Sequence, residues 1–268
     1  MVRKAVLAAV SLVALGSAAA QETAPRPAPA PLVVNDDTVG ILRERQVGSL
    51  ILPQGTPPFP AVIVLHGCNG ISRNTRVWAR RLAGWGYAAL IVDSFTSRGL
   101  HQVCDGSRAL PGPVRARDVY TAAAYLRSRR DIDAGHIGAL GYSHGGWTGL
   151  AAATQRAAER FGGPPLLAVV SLYPFCPKIA LPLASDVLIL AGDADDWAPS
   201  SRCTEFSAKY GTDAVHRPSL VVYPGAHHSF DAQAPDRVYF GHDLRYDPKA
   251  TADALVRIRQ FLDQHLRR

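Results

Sequence analysis

The chain has 268 residues, 47% of them hydrophobic, and a formal net charge of +7. That length suits one domain behind a short leader, and beyond the N-terminal region no stretch is apolar for long enough to cross a bilayer. Charge alone permits nucleic-acid binding, but the arginines are dispersed (Arg80-Arg81, Arg129-Arg130, Arg267-Arg268) and no nucleic-acid-binding motif or aromatic-basic interleaving accompanies them.

The first twenty residues read as an export signal. Arg3 and Lys4 give a basic start, residues 5–15 are uncharged and mainly apolar, and Ala18-Ala19-Ala20 is a small-residue cleavage site. An uncleaved anchor is the competing reading, but the apolar segment is short for a span. Residues 21–34 alternate proline with alanine and arginine, which predicts an extended, solvated leader. Residues 35–268 form the predicted domain. Residues 39–52 read as one or two opening strands. A turn at 57–60 is followed by a continuous apolar strand over 61–65, as expected in a sheet covered on both faces. Predicted helix 74–84 ends near Gly84 and Gly86, and strand 87–92 follows. Helix 114–129 carries Val119, Ala122, Ala123 and Leu126 at helical spacing. Strand 137–140 and helix 144–160 flank a sharp turn. Strands at 166–172, 186–191 and 220–223, a helix over 200–210, and an amphipathic helix over 251–266 complete the chain. Strands alternating with helices predict an α/β fold, with a mainly parallel sheet flanked by helices on both faces.

The turn between 140 and 144 carries the chemistry. Gly141-Tyr142-Ser143-His144-Gly145 is Gly-x-Ser-x-Gly between a strand and a helix, the nucleophile elbow of α/β-hydrolases. The glycines leave room where a Cβ would strike neighbouring backbone. An acid and a base follow in the order Ser, Asp, His, each just past the carboxyl end of a predicted strand, where open α/β sheets bind ligands. A serine hydroxyl is a poor nucleophile until a base takes its proton. His228 is the expected base from its Ser229-Phe230 context, and the adjacent His227 is the alternative. The acid comes from the loop containing Asp193, Asp195 and Asp196, since residues 166–182 hold no carboxylate. Asp195 fits Gly-x-x-Asp with Pro199 four residues on. The other two are expected to cap the helix near Ser200 or face solvent. The oxyanion donors are the backbone N–H of His144 and one from His66-Gly67-Cys68-Asn69, with Cys68 ahead of Asn69. His66 reads as a structural histidine of that loop. Arg98 is a candidate partner for a substrate carboxylate, and Trp197 and Phe230 are candidates to line the substrate pocket. His216, His227, His228 and His242 show no metal-binding arrangement, so neither a metal nor an organic cofactor is expected.

Four cysteines in an exported chain suggest two disulfides, for which three pairings exist. The order of the predicted strands favours Cys68–Cys104 and Cys176–Cys203, each tying adjacent loops.

From about Val39 to the C-terminus the chain resembles the dienelactone hydrolase family of α/β-hydrolases. The resemblance rests on Val-Leu-His66-Gly67-Cys68, Gly141-Tyr-Ser143-His-Gly145-Gly146, Gly192-Asp-Ala-Asp195 with Pro199, and His228-Ser-Phe230. It implies an α/β-hydrolase fold, a Ser143–Asp195–His228 triad and hydrolysis. Two departures stand out. Founding members carry a cysteine nucleophile where this chain has Ser143, and a glutamate in the loop that here reads His66-Gly67-Cys68. The expected activity is therefore hydrolysis of small-molecule carboxylic esters or lactones by a serine enzyme in the periplasm or outside the cell. A peptidase of the same fold is the runner-up, but no propeller-sized extension is present to cap its site. A non-catalytic binding member is the remaining alternative, and an intact Ser, Asp and His set argues against it.

Overall fold

The computed structural model describes residues 39–41, 44–106 and 109–267. The expected export signal and leader lie outside the described residues. An eight-stranded sheet runs in the order β1-β2-β4-β3-β5-β6-β7-β8. Its strands are β1 (Val39–Ile41), β2 (Glu44–Ile51), β3 (Phe59–Leu65), β4 (Ala88–Asp93), β5 (Ile132–Tyr142), β6 (Ala168–Leu172), β7 (Asp186–Gly192) and β8 (Pro218–Tyr223). From β4 to β8 every pairing is parallel, whereas β2 joins β4 antiparallel and β1 joins β2 antiparallel. This is the α/β-hydrolase architecture expected from the alternation of elements.

The continuous apolar strands follow from burial on both faces. In β3, Ala61, Ile63 and Leu65 enter one core while Val62 and Val64 enter the other. On the first face lie α2 (Gly112–Ser128), α3 (His144–Ala152), α4 (Gln155–Phe161) and α5 (Ser200–Ser207), with Val119, Leu126, Leu150 and Phe206 packed inward. On the second lie α1 (Arg73–Gly84) and α6 (Pro248–Leu266), contributing Trp78, Leu82, Ile258 and Leu262. Among the described residues, no helix is long and apolar enough to cross a membrane.

Two features differ from the expected elements. The single helix expected over 144–160 is broken at Ala153 and Thr154. There the Thr154 hydroxyl accepts the Ala157 N–H at 3.2 Å, capping α4 as a new helix. The segment after His228 carries no periodic signal in the sequence, yet it forms a small antiparallel hairpin, β9 (Arg237–Tyr239) and β10 (His242–Leu244). Its two-residue turn, Phe240-Gly241, has positive φ at both positions (51° and 84°), the mirror-image geometry that suits a tight hairpin. Strands of three residues are too short to show a period in the sequence.

Both disulfides form with the expected pairing, Cys68–Cys104 and Cys176–Cys203. The second closes a segment with a sequence separation of 27. Loop-closure entropy for a ring of that size is worth about 3 kcal/mol. Replacing Cys176 and Cys203 together by serine is expected to lower unfolding free energy by about 2–4 kcal/mol in urea titration; an unchanged midpoint would refute this.

Candidate active site

The elbow is a close fit of backbone to backbone. Ser143 has φ 53° and ψ −121°, a strained conformation for a residue with a side chain. A Cβ on Gly141 would lie 2.2 Å from the Gly145 carbonyl oxygen, and one on Gly145 would lie 2.2 Å from the Leu65 carbonyl oxygen. Only glycine permits the turn after β5 to press against the end of β3.

Three strand ends bring the expected residues together. Ser143 follows β5, Asp195 follows β7 and His228 follows β8. His228 Nε2 lies 3.0 Å from Ser143 Oγ, and His228 Nδ1 lies 2.8 Å from Asp195 Oδ2. The carboxylate only accepts, so Nδ1 carries the proton and Nε2 is free to accept from the serine. Asp195 Oδ1 accepts from the N–H groups of Trp197 and Ala198 at 2.9 and 2.7 Å, which fixes the carboxylate plane. Asp195 and His228 are both buried.

The competing residues are engaged elsewhere. Asp193 Oδ1 accepts from the Gly225 N–H at 2.6 Å, tying the loop after β7 to the loop after β8. Asp196 accepts from the Asp243 N–H at 3.3 Å and sits 3.6 Å from His242 Nδ1, holding the hairpin. Neither caps α5, whose N-cap is Pro199 with no side-chain bond; of the two expected roles both residues take the second, since both are exposed to solvent. His227 makes no contact with the serine hydroxyl, and its Nδ1 has no partner among the described residues.

Two recesses meet at the serine. A cleft of about 400 Å³ is lined by Cys68, Asn69, Tyr142 and Arg81 among others, and a smaller one of about 110 Å³ by Val103, Trp147, Phe175 and His144. Ser143, Cys68, Trp197 and His228 face both. Trp197 lies with its ring 5.0 Å from His228 and stacks on His242 at 4.7 Å.

Two of the expected pocket residues lie elsewhere. The Arg98 guanidinium is held bidentately by Asp118 of α2, at 2.7 and 2.9 Å, and donates to the Ser94 carbonyl at 2.6 Å. Its carboxylate partner is therefore internal. Phe230 is fully buried between Tyr173 and Tyr223, with centroids at 5.4 and 5.2 Å, and belongs to the core under α6.

Buried polar groups that sequence reasoning did not single out surround Ser143, Asp195 and His228. Asp231 accepts from Asn74 Nδ2, Trp78 Nε1 and the Tyr173 hydroxyl at 3.1, 2.6 and 2.5 Å. Tyr173 in turn places its ring 4.7 Å from His228. The Tyr142 hydroxyl lies 2.6 Å from Thr75 Oγ1 and 3.1 Å from Ser72 Oγ, pinning the start of α1 beside the cleft. Arg115 lies fully buried behind the loop after β3. One clue was available: it lies on the same helix as the apolar positions Val119, Ala122 and Leu126.

His66 and His144 are neutral. His66 Nδ1 donates to the Gly67 carbonyl at 2.8 Å, and its Nε2 accepts the Ser94 N–H at 3.3 Å. This is the structural role expected of it. His144 Nε2 donates to the Leu110 carbonyl at 2.9 Å. Burial, followed by the nearby Arg115 charge, pushes the His66 imidazole well below its ordinary value and that of His144 down to about 3.

The model of the dienelactone hydrolase family matches residues 47–266. Over 205 residues the chain is 28% identical to a Bradyrhizobium protein named "Probable 2-oxo-3-(5-oxofuran-2-ylidene)propanoate lactonase", covering 72% of this chain and 82% of that one. It is 29% identical over 155 residues to a bis(hydroxyethyl) terephthalate hydrolase of Streptomyces coelicolor, covering 57% of this chain and 46% of the relative. Among solved structures, the dienelactone hydrolase-like promiscuous phosphotriesterase P91 from metagenomic libraries superposes with a TM-score of 0.68 at 23% identity, over 83% of this chain and 93% of that one.

The depressed histidines set an acid limit on stability. Their folded pKa values lie below the unfolded value of about 6.5, so the unfolded chain takes up protons first as pH falls. The contribution is complete above about pH 6.5 and is lost towards the folded values, at up to about 1.4 kcal/mol per pH unit for each histidine. The urea midpoint is expected to fall between pH 7.5 and 4.5; equal midpoints would contradict neutral burial of these rings.

The elbow, the strand order and the family match over residues 47–266 lead to one assignment: the chain belongs to the dienelactone hydrolase family of α/β-hydrolases.

Proposed function

We propose that the protein is a serine hydrolase that cleaves carboxylic esters or lactones through an acyl-enzyme on Ser143. One observation carries the reading: the unbroken line from Ser143 Oγ through the His228 imidazole to Asp195, at 3.0 and 2.8 Å. In this mechanism Ser143 Oγ attacks the carbonyl carbon while His228 Nε2 takes its proton. Asp195 stabilises the resulting imidazolium and holds its orientation. The backbone N–H groups of Cys68 and His144 receive the oxyanion. Collapse expels the alcohol, which takes the proton from His228. A water then repeats the sequence on the acyl-enzyme and regenerates the free serine. Cys68 is tied to Cys104, so its sulfur is not a competing nucleophile.

The cleft supports a substrate of two unequal parts. Arg73, Arg81 and Arg237 contribute to the wall of the larger recess, and aromatic side chains line the smaller one. Three guanidinium groups around one cavity favour an ester or lactone that carries an anionic group there. The name of one relative, a lactonase acting on a propanoate, is in keeping with an anionic substrate, while that of the other, a bis(hydroxyethyl) terephthalate hydrolase, denotes a neutral diester and is in keeping with ester hydrolysis alone. The basic, apolar N-terminus and the two disulfides support action in the periplasm or outside the cell.

Replacement of Ser143 by alanine should lower kcat/KM for an aryl ester by roughly 10⁴-fold or more, with the thermal midpoint retained. A fluorophosphonate probe should modify Ser143 in the wild-type protein, and wild-type turnover by Ser143→Ala would sink the mechanism. An aryl ester bearing a carboxylate should show a lower KM than its neutral counterpart. That advantage should shrink with added salt and in Arg81→Gln; identical KM values for the two esters would remove the anionic preference.

A further inference from the structure

We propose that Arg115 is a positioning residue that sets the geometry of the oxyanion hole by clamping the loop carrying Cys68 to the residue that follows the nucleophile. This rests on the serine-hydrolase reading above.

Arg115 is fully buried, yet none of its hydrogen bonds goes to a carboxylate. Nη1 donates to the His66 carbonyl at 2.8 Å and to His144 Nδ1 at 2.9 Å. Nε donates to Ser94 Oγ at 2.9 Å. One planar group therefore joins three segments: the loop after β3, the first residue of α3 and the end of β4. Two of these carry the proposed oxyanion donors, Cys68 and His144. Asp118 on the same helix favours the charge, but its carboxylate is taken up bidentately by Arg98.

A buried guanidinium without a carboxylate on its own donors is costly, and simple packing gives no reason to keep one. Here its donors meet two acceptors of the catalytic rim and leave Nη2 with no partner among the described residues. Nη1 alone spans the His66 carbonyl and the His144 ring, while Nε, rigidly coplanar with it, is anchored on Ser94 Oγ; a single ammonium on a flexible stem lacks that second fixed nitrogen. Burial and the Arg115 charge keep His144 neutral, so that Nδ1 stays an acceptor for the clamp.

The test uses Arg115→Lys and Arg115→Met in the full-length, oxidised protein. It measures kcat and KM for a neutral aryl ester and Ki for a trifluoromethyl ketone that mimics the tetrahedral adduct. Loss of the planar anchor formed by Nη1 and Nε should lower kcat about tenfold in Arg115→Lys and about 100-fold in Arg115→Met, with KM changed less than twofold. Ki should rise in proportion to the loss in kcat/KM across the series. If Arg115→Met does not fold, Arg115→Lys with an intact near-ultraviolet dichroism spectrum decides the matter. Wild-type kcat and Ki in Arg115→Lys would overturn the inference, as would a loss of kcat with no change in Ki. In either case, fluorophosphonate labelling of Ser143 in the wild type keeps the serine-hydrolase reading standing. Absence of both labelling and ester turnover in the wild type would remove that reading and the inference together.

Discussion

The contact on which the site depends is made by two stretches of backbone. The helix after Ser143 presses Gly145 onto the carbonyl of Leu65, so close that a single methyl group at Gly145 would overlap it. That approach holds the turn at Ser143 against the loop leaving β3. Because β3 and β5 are neighbours in the sheet, a short step along their common rim separates the Ser143 hydroxyl from the loop carrying Cys68. The strain at Ser143 persists because packing on both sides leaves the turn no other course.

Asp195 and His228 arrive from the other direction, on the loops after β7 and β8, with β6 between them and the elbow. Their loops are bonded to each other before either meets the serine. Asp193 reaches the backbone of Gly225, and the Ala194 N–H donates to the Ala226 carbonyl at 3.1 Å. The imidazole is then enclosed by Tyr173 on one side and Trp197 on another. The enclosure adds to the orientation set by the carboxylate, since a ring hemmed in by two aromatic side chains, Tyr173 edge-on and Trp197 tilted, has few rotamers left.

Around this line the protein buries several polar groups and pairs nearly all of them. Asp231 is satisfied by three neutral donors, His66 and His144 are held uncharged, and Arg115 spends its donors on a carbonyl, a ring nitrogen and a hydroxyl. Low local polarisability strengthens each of these bonds and makes an unpaired group expensive, so such a network favours one arrangement. The disulfide from Cys68 to Cys104 adds a covalent restraint to the same loop, and the Val103 N–H donates to the Cys68 carbonyl at 2.8 Å.

Much of this was legible along the chain. The apolar runs of β3 to β8 announce a doubly covered sheet, because a strand buried on both faces cannot alternate. The elbow is legible because its chemistry is local: two glycines, a serine and the strand and helix around them sit within a few residues. The order Ser, Asp, His and the favoured pairing of the cysteines follow from the order of strands. What could not be read depends on where side chains point after distant segments meet. Three aspartates share the loop after β7, and only packing against the β8 loop turns Asp195 towards His228. Arg98 and Phe230 had suitable chemistry for a pocket, but Asp118 on α2 claims the one and the core beneath α6 the other. Arg115 was obscured for the same reason, since its acceptors lie 49 and 29 residues away along the chain. Sequence alone determined the sheet and the apex of the elbow, through periodicity and the steric freedom of glycine; the choice among equivalent charged side chains was decided by tertiary contacts, because burial selects the partner that satisfies each one.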